Sequence, residues 1–253
     1  MQHTATAEKP RVSKTRRVYI RQLVCRCFVL AACILIVIFD PQQMAILEGW
    51  NFFRMVSPLH LLWVVWMLDM LWQIVPVKKR LVIALGSQKH FQFRFQPMKE
   101  KFNGQALRRH IVETTKAAYI VFAIWAAVVG IISLLWAFDI LNNTALFLIT
   151  IIFYVCDLIC VLIWCPFRLI VKAKCCTTCR IFNWDHLMMF SPMLMIKGFY
   201  SGTLVLMAFA DWLIWELCIM MYPERFWENS NAALRCANCT DKLCTQYCGK
   251  NHA

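Results

Sequence analysis

Five apolar runs punctuate this chain, at residues 23–39, 59–77, 117–138, 145–165 and 199–221. A helix needs about 20 apolar residues to cross a hydrocarbon layer about 30 Å thick, and these runs are of that length. Inside hydrocarbon every backbone amide and carbonyl must find an internal partner, so runs of this kind fold as helices packed side by side. Composition agrees: 60% of the 253 residues are apolar and mean hydropathy is +0.56, against about 45–50% apolar in ordinary soluble domains. With 7 Gly and 8 Pro, there is little material for flexible linkers. The expected fold is all-α, a polytopic membrane helix bundle of about five transmembrane helices plus interfacial segments. A basic N-terminus spans 1–22, the bundle 23–221, and a cysteine-rich tail 222–253.

Three stretches depart from a simple span. The run 23–39 is 17 residues long and contains Arg26, so it crosses only if Arg26 snorkels to the interface. The twin arginines Arg16 and Arg17 before it resemble an export signal; with no small-residue cleavage site after Phe39, they read as the flank of an uncleaved anchor. Residues 40–56 mix Glu48, Trp50, Asn51 and Arg54 with apolar side chains and read as interfacial. The last region, 187–221, has 35 residues, fewer than the roughly 40 two full helices need. A re-entrant piece at 187–196 followed by one span at 199–221 fits that length. It gives five crossings, with the tail on the side opposite the N-terminus; a tight hairpin would instead return the tail to the N-terminal side.

The formal net charge is +13. Lys and Arg follow the ends of the apolar runs rather than forming one face interleaved with aromatics, which excludes nucleic acid as the partner. Six basic residues precede the first run, ten lie in the loop 78–116, and four lie in 166–186; the two intervening loops hold only Arg54. That distribution puts the N-terminus in the cytoplasm. The basic loop, with Phe91, Phe93 and Phe95 alternating with polar residues, reads as a short strand or an extended segment suited to an anionic lipid surface.

Two sets of residues carry candidate chemistry. Asp69, Asp157, Asp211 and Glu216 fall within apolar runs, with Lys197 as a possible counter-charge. Such acids turn toward a bundle interior and often mark ion pathways, although interhelical hydrogen bonding alone also accounts for them. At 100° per residue Asp157, Cys160 and Trp164 share one face, and Asp211, Trp215 and Cys218 another. The second set is thiol. Of 14 cysteines, seven lie at close spacing in polar segments: Cys175, Cys176 and Cys179, then Cys236, Cys239, Cys244 and Cys248. A Cys-x2-Cys turn brings two thiolates to one metal, and the tail run supplies four sulfurs, the number a structural zinc site takes. An iron-sulfur cluster is the other candidate, although the spacing matches neither ferredoxin pattern. His186 is a possible auxiliary ligand; a hydrogen bond to Asp185 is the plainer reading. Cys25, Cys27, Cys33, Cys156, Cys160, Cys165 and Cys218 read as packing residues.

The stretch from Cys175-Cys176-Thr177-Thr178-Cys179-Arg180 to Asn183-Trp184-Asp185-His186, with Trp164-Cys165-Pro166-Phe167-Arg168 before it and Pro223-Glu224-Arg225-Phe226-Trp227 after it, resembles a group of uncharacterised cysteine-rich bacterial multi-pass membrane proteins. The likeness covers about residues 154–248. It implies a bacterial inner-membrane location and brings no activity. There is no phosphate loop, HExxH or GxSxG motif. The leading expectation is a membrane protein whose cysteine clusters bind zinc or an iron-sulfur centre in a redox role. The alternatives are a small transporter or channel-like subunit using the intramembrane acids, and a non-catalytic membrane scaffold.

Overall fold

Three of the long helices begin where a short polar side chain accepts a leading amide. Ser13 Oγ accepts from Arg16 N at 3.1 Å and opens α1, Lys14–Phe39. After Pro58 comes α2, Leu59–Ile74. Asn103 Oδ1 accepts from Gln105 N at 2.9 Å to open α3, Gly104–Ala137. Asn142 Oδ1 accepts from Ala145 N at 2.8 Å to open α4, Asn143–Leu162. Each such cap stabilises its helix by about 1 kcal/mol. After a single helical turn at Arg168–Val171 come the short helix α5, Asp185–Phe190, and the long α6, Phe199–Met221. The computed structural model describes residues 13–75, 91–98, 103–171, 179–239 and 243. Among these there is no strand, and the fold is an all-α bundle.

Four helices, α1, α3, α4 and α6, are long and apolar enough to cross a membrane, and α2 is a shorter apolar helix. The apolar stretch of α1 is only 6% buried within the bundle and that of α3 only 11%. Large side chains such as Phe28, Tyr119 and Leu206 therefore face outward, a surface that soluble monomers do not carry on this scale. Two helices start earlier than the apolar runs alone suggest. The first takes in Arg16, Arg17 and Arg21, and α3 takes in 13 residues of the basic loop. At about 1.5 Å per residue, α1 reaches about 39 Å. Its length no longer depends on Arg26 snorkelling, and Arg26 turns inward.

Residues 40–56 divide into a buried part and an exposed part that holds Trp50, Phe53 and Val56. The 3-10 segment Pro41–Leu47 folds into the end of the bundle, with Ile46 and Leu47 wholly buried. The aromatic stretch at Phe91 makes a 3-10 turn, Gln92–Arg94, rather than a strand. Phe91 and Phe93 stack at 5.7 Å, and Phe91 packs on Trp215. The remainder of the loop at 78–90 and 99–102 lies outside the described residues.

The path of the chain between α4 and α6 overturns one expectation. Residues 180–198 run from one end of the bundle to the other, through the 3-10 segment Arg180–Trp184, then α5, then the 3-10 segment Ser191–Met195. Most of this stretch is buried, including Trp184, Met189, Phe190 and Met193. A 3-10 segment rises about 2.0 Å per residue against about 1.5 Å for an α-helix, so this short stretch spans about 35 Å. It ends beside the loop after α1, where Gly49 N donates to Lys197 O at 2.8 Å and Phe199 N donates to Gly49 O at 2.9 Å. From there α6 runs back, and the tail emerges at the end that holds the N-terminus, not the opposite one. Several contacts fix it there. Ala232 N donates to Gln96 O at 2.8 Å, His110 stacks on Trp227, and Leu243 packs with Tyr19, Leu158 and Leu162.

The central core gathers around Trp66, which is fully buried and meets Phe147, Tyr154 and Phe190 edge-on at 6.2, 5.7 and 5.2 Å. The chain crossing at Gly198 is equally tight. A Cβ there would stand 2.0 Å from the Leu47 carbonyl oxygen, a backbone atom that no rotamer change can move. Gly198→Ala is therefore expected to destabilise the bundle by about 3 kcal/mol. Thermal unfolding in detergent checks this, and an unchanged midpoint would contradict the crossing. Labelling with an impermeant thiol reagent is also expected to reach Cys236 from the face that exposes the N-terminus. Labelling from the other face would contradict the traverse at 180–198.

Candidate functional site

Residues from five elements converge in the interior. Arg26 comes from α1, Asp69 and Gln73 from α2 at i, i+4, Tyr154 and Asp157 from α4 at i, i+3, Asp185 and His186 from the start of α5, and Asp211 from α6. The helical spacings put each pair on one face. Arg26 Nη1 donates to Asp157 Oδ2 at 2.7 Å and to the Tyr154 carbonyl at 2.6 Å, while Nη2 lies 3.9 Å from Asp69 Oδ2. Its guanidinium also covers the Tyr154 ring, 3.9 Å from the centroid. Gln73 Nε2 donates to Asp185 Oδ2 at 3.1 Å, and the His186 amide donates to Asp185 Oδ1 at 2.9 Å. The imidazole joins the two halves. Its Nε2 is 3.4 Å from Asp69 Oδ2, and its Nδ1 is 3.3 Å from Asp185 Oδ1 and 3.6 Å from Asp211 Oδ2.

The charges do not balance. Four carboxylates face one guanidinium and one imidazole, which leaves two negative charges uncompensated even with His186 protonated. Removing each unpaired ion from water costs several kcal/mol. Asp211 is the extreme member. Its side chain is 1% exposed, and its one nearby cation among the described residues is His186, whose Nδ1 lies 3.6 Å from Oδ2. The centre must therefore hold further positive charge in its resting state. Protonation of a buried carboxylate supplies such charge without any rearrangement.

Two cavities meet at this centre. One of about 530 Å³ is bordered by Arg26, Asp69, Gln73 and Tyr154 among apolar walls from α1, α2 and α4. The other, about 250 Å³, is bordered by Cys156, Cys160, Cys165 and Cys179 with Met188 and Met189. Asp157 and Asp185 line both.

The remaining candidates lie elsewhere. Glu216 is not part of the central group. Both its oxygens are taken by Arg180, whose Nη2 and Nε donate to Oε2 and Oε1, and Trp184 Nε1 donates to Oε1 at 2.8 Å. Arg180 Nη1 also donates to Thr115 Oγ1 at 2.6 Å. This is a balanced pair that pins the start of the traverse to α3 and α6. Lys197 is not a counter-charge to these acids. It is exposed at the opposite end, beside Glu48 and Asn143. Of the polar cysteines, Cys179, Cys236 and Cys239 are half-buried at the end of the bundle that holds the N-terminus; Cys175, Cys176, Cys244 and Cys248 lie outside the described residues.

One thiol beyond the long helices is chemically set apart. Just past α4, Cys165 accepts a hydrogen bond from the Cys160 thiol and others from the amides of Phe167 and Arg168. With the nearby Arg168 charge these hold its pKa below the usual thiol range, against the opposing effect of burial.

Arg26 and Asp185 are the functional residues that pattern reading misses. An arginine inside a 17-residue apolar run was the available signal, and its length invited the snorkelling explanation instead. Compared with family models, with curated proteins and with solved structures, the chain matches none.

Breaking one side of a buried ion pair costs about 3–5 kcal/mol, because the partner stays behind uncompensated. Arg26→Met is thus expected to lower stability by that amount, with the double variant Arg26→Met/Asp157→Asn recovering part of the loss; thermal melts of both check it. For Cys165, alkylation by iodoacetamide followed by mass spectrometry is expected to show a pH–rate profile displaced to lower pH than that of an ordinary thiol. Arg168→Gln should move the profile upward, and an unmoved profile would remove the charge contribution.

Proposed function

We propose that this chain is an integral protein of a bacterial inner membrane, with its N-terminus in the cytoplasm, that exchanges a proton for a cationic substrate: a small transporter subunit. The observation that carries the reading is the centre of four carboxylates, Asp69, Asp157, Asp185 and Asp211, against Arg26 and His186. Ionisable groups are retained inside an apolar bundle chiefly on ion and proton paths. The basic loop 78–116 would rest on anionic lipid at the cytoplasmic face.

The exchange follows from charge. With no substrate present, one proton on Asp211 and one on His186 reduce the excess of carboxylates over Arg26 to a single charge. The 530 Å³ cavity has apolar walls and an acidic end, which suits an amphipathic organic monocation. When such a cation enters, its charge stabilises the carboxylates as ions and weakens the hold on the proton by the same Coulombic coupling. One positive charge arrives and one leaves, so the interior never carries the full uncompensated load.

Proteoliposomes containing a pH-sensitive dye in the lumen test this. An added amphipathic monoamine is expected to drive proton movement through the wild-type protein. Asp211→Asn should reduce the rate at least tenfold, and Lys197→Gln, at the far exposed end, should leave it unchanged. Wild-type exchange by Asp211→Asn would sink the reading.

A second reading keeps the zinc or iron-sulfur site at Cys175, Cys176, Cys179, Cys236, Cys239, Cys244 and Cys248, in a redox role. What favours it is that Cys179, Cys236 and Cys239 share one end of the bundle. Anaerobically purified protein with neither bound metal nor visible absorbance would count against it.

A further inference from the structure

The 530 Å³ cavity is a groove between two helices that pack elsewhere, α1 on α4 and α2 on α6. Its lining recurs at heptad spacing: Arg26 with Cys33 and Val29 with Ile36 on α1, Leu62 with Asp69 and Val65 with Trp72 on α2. Each set is therefore one face of its helix. Tyr154 and Leu158 of α4, both buried, form the floor. The front is open. Leu61, Val65 and Trp72 on one lip and Cys25 and Ala32 on the other are exposed, and in a bilayer they would meet lipid.

Charge is confined to one end of the groove, where Asp69, Asp157 and Asp185 stand against Arg26. Beyond that end the lining is apolar, from Arg26 to Ile36 along α1 and from Asp69 back to Leu59 along α2. At 1.5 Å per residue each stretch is about 15 Å long. That is one leaflet of a hydrocarbon core about 30 Å thick.

We infer that the groove takes a single-chain amphiphile with a primary ammonium head, admitted sideways from the bilayer. The head sits among Asp69, Asp157 and Asp185, and the chain lies between α1 and α2 toward Ile36 and Leu59. An ammonium brings three donors and no acceptor, which suits a cluster of carboxylates. A phospholipid fits less well, because its phosphate would face three carboxylates. The sign of the head rests on the reading of the central aspartates as a cation site; the chain and the sideways entry rest on the shape of the groove.

Dodecylammonium carrying a diazirine at the end of its chain, photolysed with the full-length protein in phosphatidylcholine nanodiscs, tests this by mass spectrometry of the labelled peptides. Labels are expected at Ile36 and Leu59, and excess unlabelled dodecylammonium should reduce them at least fivefold. Ala32→Trp, which fills the open side, should reduce them by as much. A dodecyl phosphate probe of the same length should leave both positions unlabelled. Absent labelling, labels spread evenly over outward residues such as Tyr119 and Leu206, equal labelling by the phosphate probe, or indifference to Ala32→Trp would each overturn the proposal. The readout is binding rather than transport, so the two readings fail separately. Groove labelling of a protein that moves no protons would remove the exchange reading alone, and proton exchange driven by short amines without groove labelling would remove this one alone.

Discussion

Arg26 is held between Asp157 and Asp69 with only 14% of its side chain exposed, and the arrangement of the bundle follows from the need to pair its charge there. A guanidinium presents several donors in a fixed plane and keeps its charge at all accessible pH values. It therefore needs acceptors from more than one direction. Here they come from α2 and α4, with the Tyr154 carbonyl and ring completing the shell. The extensive packing of α1 on α4 brings apolar surface together along the helices, while the ion pair sets which faces meet.

Among the described residues there are two buried ionic groups, and their difference is instructive. Arg180 and Glu216 are one cation and one anion with a hydroxyl and an indole filling the remaining positions. Such a pair is complete and has little to gain from a further ion. The central group is incomplete by construction, with four acids set against two cations. An incomplete group attracts positive charge more strongly than a complete one, so the same residue types close a pair in one place and leave an excess of negative charge in the other.

Residues 180–198 make both groups possible. Their mixed 3-10 and α geometry covers the depth of the bundle with fewer residues than an α-helix would use, and it delivers Arg180 to Glu216 at one end and His186 to the aspartates in the middle. At the far end the close approach of Gly198 to the Leu47 carbonyl leaves no room for a side chain, so the chain reverses tightly into α6. The reversal returns the tail to the end where Cys179 lies.

Hydrophobic patterning by itself determined the all-α bundle and the positions of its long helices, because a run of apolar residues in hydrocarbon has few alternatives to helix. It also singled out Asp69, Asp157 and Asp211, since a charge inside such a run stands out from its neighbours. It could not say that Glu216 leaves that group for Arg180, that Arg26 points inward, or that Asp185 belongs with the other aspartates; those facts depend on which helix faces meet, and facing is a property of the packed chain. The side on which the tail emerges was lost for a related reason. Counting residues at α-helical rise undervalued 180–198, whose 3-10 segments are stabilised by tertiary burial rather than by any pattern local to them.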